Sequence, residues 1–179
     1  MVGAEALSRW RVPLGWAAGL AALYVASPRM PLYAVGLAIA AFGEAVRIWA
    51  AGHLDKNTRL TMSGPYAWTR NPLYFGSAWM GLGFSLATGR LFLVAIVVAL
   101  FVAVYAPVMK REAARLAESF PAAYRAYADR TPLFWPRPPK TGGDQDGRFA
   151  TKRLRKNGEH LTVVGWFAVA GMIGWKLLQ

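Results

Sequence analysis

Gly64-Pro65-Tyr66-Ala67-Trp68-Thr69-Arg70-Asn71-Pro72-Leu73-Tyr74 gathers a guanidinium, an amide side chain and three rings between two long apolar runs. Gly64-Pro65 marks a turn, and Pro65 has no amide hydrogen to donate. Asn71 precedes a proline, which keeps it out of the α region, and its side chain suits an N-cap. Pro72 then fits the first helical position. A helix starting there presents its positive dipole end and unbonded N–H groups beside Arg70, a place to hold an anionic group. Tyr66, Trp68 and Tyr74 can stack on a heteroaromatic base or face a cation. Farther on, Glu112 offers a carboxylate to an ammonium or a sugar hydroxyl. His53, beside Gly52, is a candidate base.

Composition sets the surroundings of these groups. Hydrophobic residues make up 55% of the chain and charged residues 17%, and the apolar residues come in long blocks. That is the composition of a membrane protein with interfacial aromatics rather than of a soluble domain. The chain has no cysteine, which excludes disulfides, thiolate nucleophiles and cysteine metal ligands. Its two histidines, His53 and His160, lie far apart in sequence, which argues against a zinc site. A net charge of +12 is of the size seen in nucleic-acid binders. Its placement follows membrane topology instead, so no nucleic-acid partner is expected.

The elements that must position the polar groups follow from the apolar runs. Val12–Ser27, Pro31–Ala51, Pro72–Thr88, Leu91–Met109 and Leu161–Leu178 read as five spans. The first also resembles a signal peptide, but further spans follow at once. Glu44 and Arg47 share a face of the second and read as a mutually neutralised pair. Gly76, Gly81 and Gly83 allow close packing of the third, and the Gly89-Arg90 turn folds the third and fourth into a tight hairpin. Leu116, Phe120, Tyr124 and Tyr127 fall on one helical face, which Pro121 divides in two. Lys152-Arg153-Leu154-Arg155-Lys156 is a basic cluster. With a cytoplasmic N-terminus, 17 Lys and Arg lie inside and 3 outside, which sets the orientation. The expectation is an all-α, multi-pass transmembrane bundle. Residues 1–140 form its core with short cytoplasmic helices at 110–130, 141–160 a basic cytoplasmic linker, and 161–179 a C-terminal transmembrane helix.

The stretch from Gly64 to Tyr74 resembles the Gly-x-Tyr … Arg-His/Asn-Pro-x-Tyr signature of integral-membrane methyltransferases, the isoprenylcysteine carboxyl methyltransferase and phospholipid methyltransferase group. A second match runs through Glu112, Leu116, Phe120, Tyr124 and Tyr127 to Pro132 and Pro136. The resemblance implies S-adenosylmethionine as cofactor, contacted by Thr58, Arg59, Leu60 and Thr61, by Tyr66, by Asn71, Pro72, Leu73 and Tyr74, and by Glu112. Asn71 stands where many members have histidine, and Ala113 where many have a second acid. Val108 replaces an arginine linked to substrate in the carboxyl-methylating branch.

These readings converge on methyl transfer to a lipophilic acceptor (a prenylcysteine-like carboxylate, a phospholipid amine or another lipid) at the cytoplasmic membrane face. Such a displacement needs the donor held, the acceptor aligned and water excluded, without a metal. Arg70 would hold the methionine carboxylate, and Glu112 or His53 would take a proton from an amine. Two other readings remain open: an NADPH-dependent membrane reductase of the sterol type, and a scaffold without activity.

Overall fold

Proline sets where the helices begin. Pro31, Pro72 and Pro121 each fall in the first turn of a helix, where the missing amide hydrogen costs nothing. The computed structural model describes residues 19–55, 59–139 and 147–179, and every regular element among them is helical. They are α1 (Met30–His53), α2 (Pro72–Ala87), α3 (Leu91–Ser119), α4 (Pro121–Arg130), α5 (Thr151–Lys156) and α6 (Glu159–Trp175). A short 3-10 turn at Gly64–Ala67 lies between α1 and α2. Residues 12–18 of the first expected span fall outside the described residues, and 19–25 are helical.

Helix α1 is the hub, touching α2, α5, α6 and the 3-10 turn. Its seam with α2 is glycine on glycine. Gly36 meets Gly83 and Gly43 meets Gly76, each pair so close that an added Cβ would stand 2.5 Å from the opposite carbonyl oxygen. Within each helix the two glycines are seven residues apart, two turns on one face. The tightest pairing is therefore α1 with α2, not the α2–α3 hairpin. Gly81 points the other way, toward Val97 of α3.

The apolar run ends at Met109 but α3 does not. It runs through Pro107 and on to Ser119, because Lys110 to Ala117 are good helix formers and the next proline is Pro121. The helix thus reaches from an apolar stretch into a charged one as a single rod. Phe120 closes α3 and opens α4 with φ −138° and ψ 62°, so α4 turns away.

Two of the described helices, α1 and α3, are long and apolar enough to cross a membrane. Helices α2 and α6, with 16 and 17 residues, are apolar but shorter. At 1.5 Å per residue they reach about 24 and 26 Å, a few Å under the hydrocarbon core.

The described part of the expected linker docks on α1. The Ala150 amide bonds the Gly52 carbonyl at 2.9 Å, and Phe149 covers Gly52. The Asn157 amide reaches the Ala51 and Leu54 carbonyls at 2.9 and 3.0 Å, capping α1 from more than a hundred residues away. Arg153 and Lys156 approach Asp55 at 3.4 and 3.9 Å. Cations gather where the helix dipole is negative.

The expected Glu44–Arg47 pair does not form. Arg47 reaches across to Glu159 at the start of α6, Nε to Oε1 at 2.8 Å and Nη2 to Oε2 at 3.0 Å. A two-pronged carboxylate contact outcompetes the poorer geometry available three residues back on the same helix. Glu44 is buried, and its carboxylate has no hydrogen-bond partner among the described residues.

Candidate functional site

The turn at Trp68–Asn71 is clamped by a segment sixty residues later. Arg70 N–H bonds the Pro132 carbonyl, Arg137 N–H bonds the Trp68 carbonyl, and the Thr69 hydroxyl bonds the Phe134 carbonyl, at 2.9 to 3.0 Å. Asn71 occupies the cap position of α2 but does not cap it. Its Nδ2 donates to the Leu133 carbonyl at 2.9 Å, which orients the side chain toward the 132–134 segment, and it makes no side-chain cap bond to α2. Pro72 carries no amide hydrogen, and the amides of Leu73 and Tyr74 have no carbonyl behind them in the helix. The Leu73 amide is therefore not used within the helix itself.

Two tyrosines on the face predicted for α4 secure the other wall. The Tyr127 hydroxyl bonds the Tyr66 carbonyl at 2.7 Å, and the Tyr124 hydroxyl accepts from Arg70 Nη1 at 2.8 Å. Burial pushes the phenols of Tyr66 and Tyr127 above their ordinary range, so both stay neutral at any working pH. Arg70 Nε is buried with no hydrogen-bond partner among the described residues. From α2 to α3, the Tyr74 hydroxyl donates to Glu112 Oε1 at 2.8 Å.

These walls enclose an open cavity of about 860 Å³. The motif residues Tyr66, Arg70, Asn71, Pro72, Leu73 and Tyr74 all line it, as does Glu112 from α3. Arg59, Leu60 and Thr61 line it from the segment after α1. Thr58 lies outside the described residues. His53 does not line the cavity: its buried ring packs between Phe149 and Gly64, with both nitrogens unpartnered among the described residues. Trp68 is exposed on the outside. Sequence reasoning missed Arg47, Asp55 and Arg115 as lining residues. Of the three, Arg47 carried a signal, a charge inside an apolar run, but it was spent on the wrong partner.

The residues suit a zwitterionic ligand with a cationic centre and a base. Arg70 and the Leu73 amide at the start of α2 offer donors to an anion. Glu112 and Asp55 contribute carboxylates to the same lining, and Tyr66 and Tyr74 contribute rings. No group of three or more metal-ligating side chains occurs among the described residues.

A helical membrane protein with a polar cavity at one end of its apolar helices is the class that fold and site define. The chain belongs to the phospholipid methyltransferase family, whose profile matches residues 30–123. Members of that family generally use S-adenosylmethionine. The matched span contains the α1–α2 seam, the motif turn, α3 and the first residues of α4; α5 and α6 lie beyond it. The chain is 36% identical over 105 residues to the cobalt-zinc-cadmium resistance protein CzcN of Cupriavidus metallidurans, covering 58% of this chain and 47% of that protein. It is 33% identical over 108 residues to the nickel-cobalt-cadmium resistance protein NccN of Alcaligenes xylosoxydans xylosoxydans, covering 59% and 50%. The chain thus spans about half the length of these curated relatives. No solved structure matches it.

Proposed function

We propose that this protein transfers a methyl group from S-adenosylmethionine to a lipophilic acceptor at the cytoplasmic face of a membrane. The observation that carries the reading is the shared cavity: Tyr66, Arg70, Asn71 and Tyr74 from the motif stretch and Glu112 from α3 line one space. Bound there, S-adenosylmethionine supplies an electrophilic methyl on a sulfonium. Arg70 and the Leu73 amide would hold its carboxylate, and Glu112, oriented by Tyr74, its ammonium. Tyr66 and Tyr74 offer ring faces to the base or to the positive sulfur. The chain's work is alignment and exclusion of water, so no covalent nucleophile is required. If the acceptor is an amine, Glu112 is the residue placed to take its proton. His53, outside the cavity, is not.

In this reading the apolar runs cross the bilayer five times, with α2 and α6 accommodated by local thinning. The N-terminus and the cavity face the cytoplasm, where the donor is available, and the basic excess meets anionic headgroups there. The relatives are named for metal resistance. With no cysteine in the chain and no ligand cluster among the described residues, a modified membrane component fits this chain better than direct metal capture.

Purified protein in detergent should gain thermal stability with S-adenosylhomocysteine, since a ligand that binds only the native state stabilises it. Stabilisation by NADPH alone would make it a reductase, and stabilisation by neither a scaffold. A labelled-donor assay on lipid extracts then names the acceptor.

A further inference from the structure

The C-terminal helix lies beyond the family-matched span, yet it reaches the cavity wall. Glu159, the first residue of α6, is 3% exposed and holds Arg47 through both carboxylate oxygens. Thr162, one turn on, accepts from the same guanidinium at 3.3 Å. The remaining nitrogen, Nη1, is bonded to the Ser77 hydroxyl and reaches the Leu73 carbonyl at 3.5 Å. Ser77 itself donates to that carbonyl at 2.9 Å. Every nitrogen of Arg47 is thus engaged within the protein. Although Arg47 lines the cavity, it has no donor left to anchor a ligand.

What the network grips is the first turn of α2. Leu73 supplies the carbonyl, and its own amide belongs to the same turn beside Arg70. Tyr74 also sets Glu112. A relay runs from Glu159 through Arg47 and Ser77 to the corner where an anion would bind. Glu44 is the competing partner on the same face of α1, and in this arrangement Arg47 leaves it alone.

We propose that Glu159 is a positioning residue for the donor site: through Arg47 it fixes the α2 start in the register that binds the donor's carboxylate. The C-terminal helix is then a working part of the site and not only an anchor. The inference rests on the cavity being the donor site, and the two claims fail separately.

The experiment measures S-adenosylhomocysteine affinity by calorimetry on the full chain in detergent, beside thermal stability, for wild type, E159Q, S77A and E44Q. Wild-type binding tests the donor site itself. Given that binding, E159Q should weaken affinity about tenfold to a hundredfold, the scale of a misplaced binding geometry. S77A keeps the ion pair but cuts the relay, so a smaller loss of the same kind is expected. E44Q should leave affinity unchanged, because Glu44 is not in the relay. Wild-type affinity in folded E159Q, with only the melting temperature lowered, overturns the proposal. An equal loss in E44Q also overturns it, since the effect would then be general to buried charge. Should E159Q not fold, S77A decides: an unaltered affinity there removes the relay.

Discussion

Glu112→Ala is the sharpest test of the site's chemistry. Glu112 sits at the cavity edge with its Oε1 2.8 Å from the Tyr74 hydroxyl, on an exposed part of α3. A hydrogen bond to a charged group is worth about 1.5–3 kcal/mol, and exposure places this contact at the lower end. About 1.5 kcal/mol is roughly a tenfold loss of affinity for S-adenosylhomocysteine, whose ammonium would lose its partner. Tyr74→Phe removes only the hydroxyl that aims the carboxylate, so about threefold is expected, from the roughly 0.5–1 kcal/mol of a modest hydrogen bond. The double variant should match Glu112→Ala alone, because the tyrosine hydroxyl acts through the carboxylate. Calorimetric titration of the three proteins gives the comparison directly. Unchanged affinity in Glu112→Ala refutes the assignment of the ammonium to this carboxylate. Additive losses refute the claim that the tyrosine hydroxyl works through it.

The seam and the surroundings of the cavity give further tests. Gly83→Val should destabilise the protein by about 3 kcal/mol, the upper end for overpacking, because the obstructing atoms are backbone; denaturation in detergent measures it. Gly171→Ala is the control, with nothing within 4 Å of the added carbon among the described residues, and should be neutral or slightly stabilising. Tyr66 and Tyr127 have folded-state values raised above the ordinary tyrosine range. The unfolded chain therefore loses these protons first, so the melting temperature should fall as pH rises above about 10. Tyr127→Phe should soften that alkaline slope, and an unaltered slope refutes the burial argument. His53→Gln should lower the melting temperature yet leave S-adenosylhomocysteine affinity as it was; a changed affinity would bring His53 back to the site. Because the chain has no cysteine, single cysteines at Arg90 and Lys152 can be labelled from either side of a vesicle. They should react from opposite faces, and labelling from the same face overturns the proposed topology.

Local chemistry was legible in the sequence wherever neighbours along the chain decided the outcome. Pro72 and Pro121 announced the starts of α2 and α4, and the Tyr124/Tyr127 face was visible from its period. The motif residues could be named as one site because their types suit one ligand. Long-range competition was not legible. Asn71 has the side chain of a cap, but the Leu133 carbonyl arrives from outside and takes it. Arg47 has a carboxylate three residues back, but Glu159 offers two oxygens at the right spacing and wins. The close approach of α1 and α2 was half visible: Gly76 and Gly83 were noticed, while Gly36 and Gly43, which complete the contact, stood among other small residues. His53 was a candidate base by residue type alone, since a helix-end histidine is more often only a polar residue; its packing against Phe149 comes from a segment far along the chain.

The glycine seam also limits how the molecule can breathe. Two rods touching backbone to backbone cannot slide by a turn without driving side chains into carbonyls, so α1 and α2 move as one body. Admission and release of anything from the cavity then fall to its other walls, the segment after α1 and the α3–α4 corner at Phe120. The stiff half keeps the geometry while the looser half opens the door.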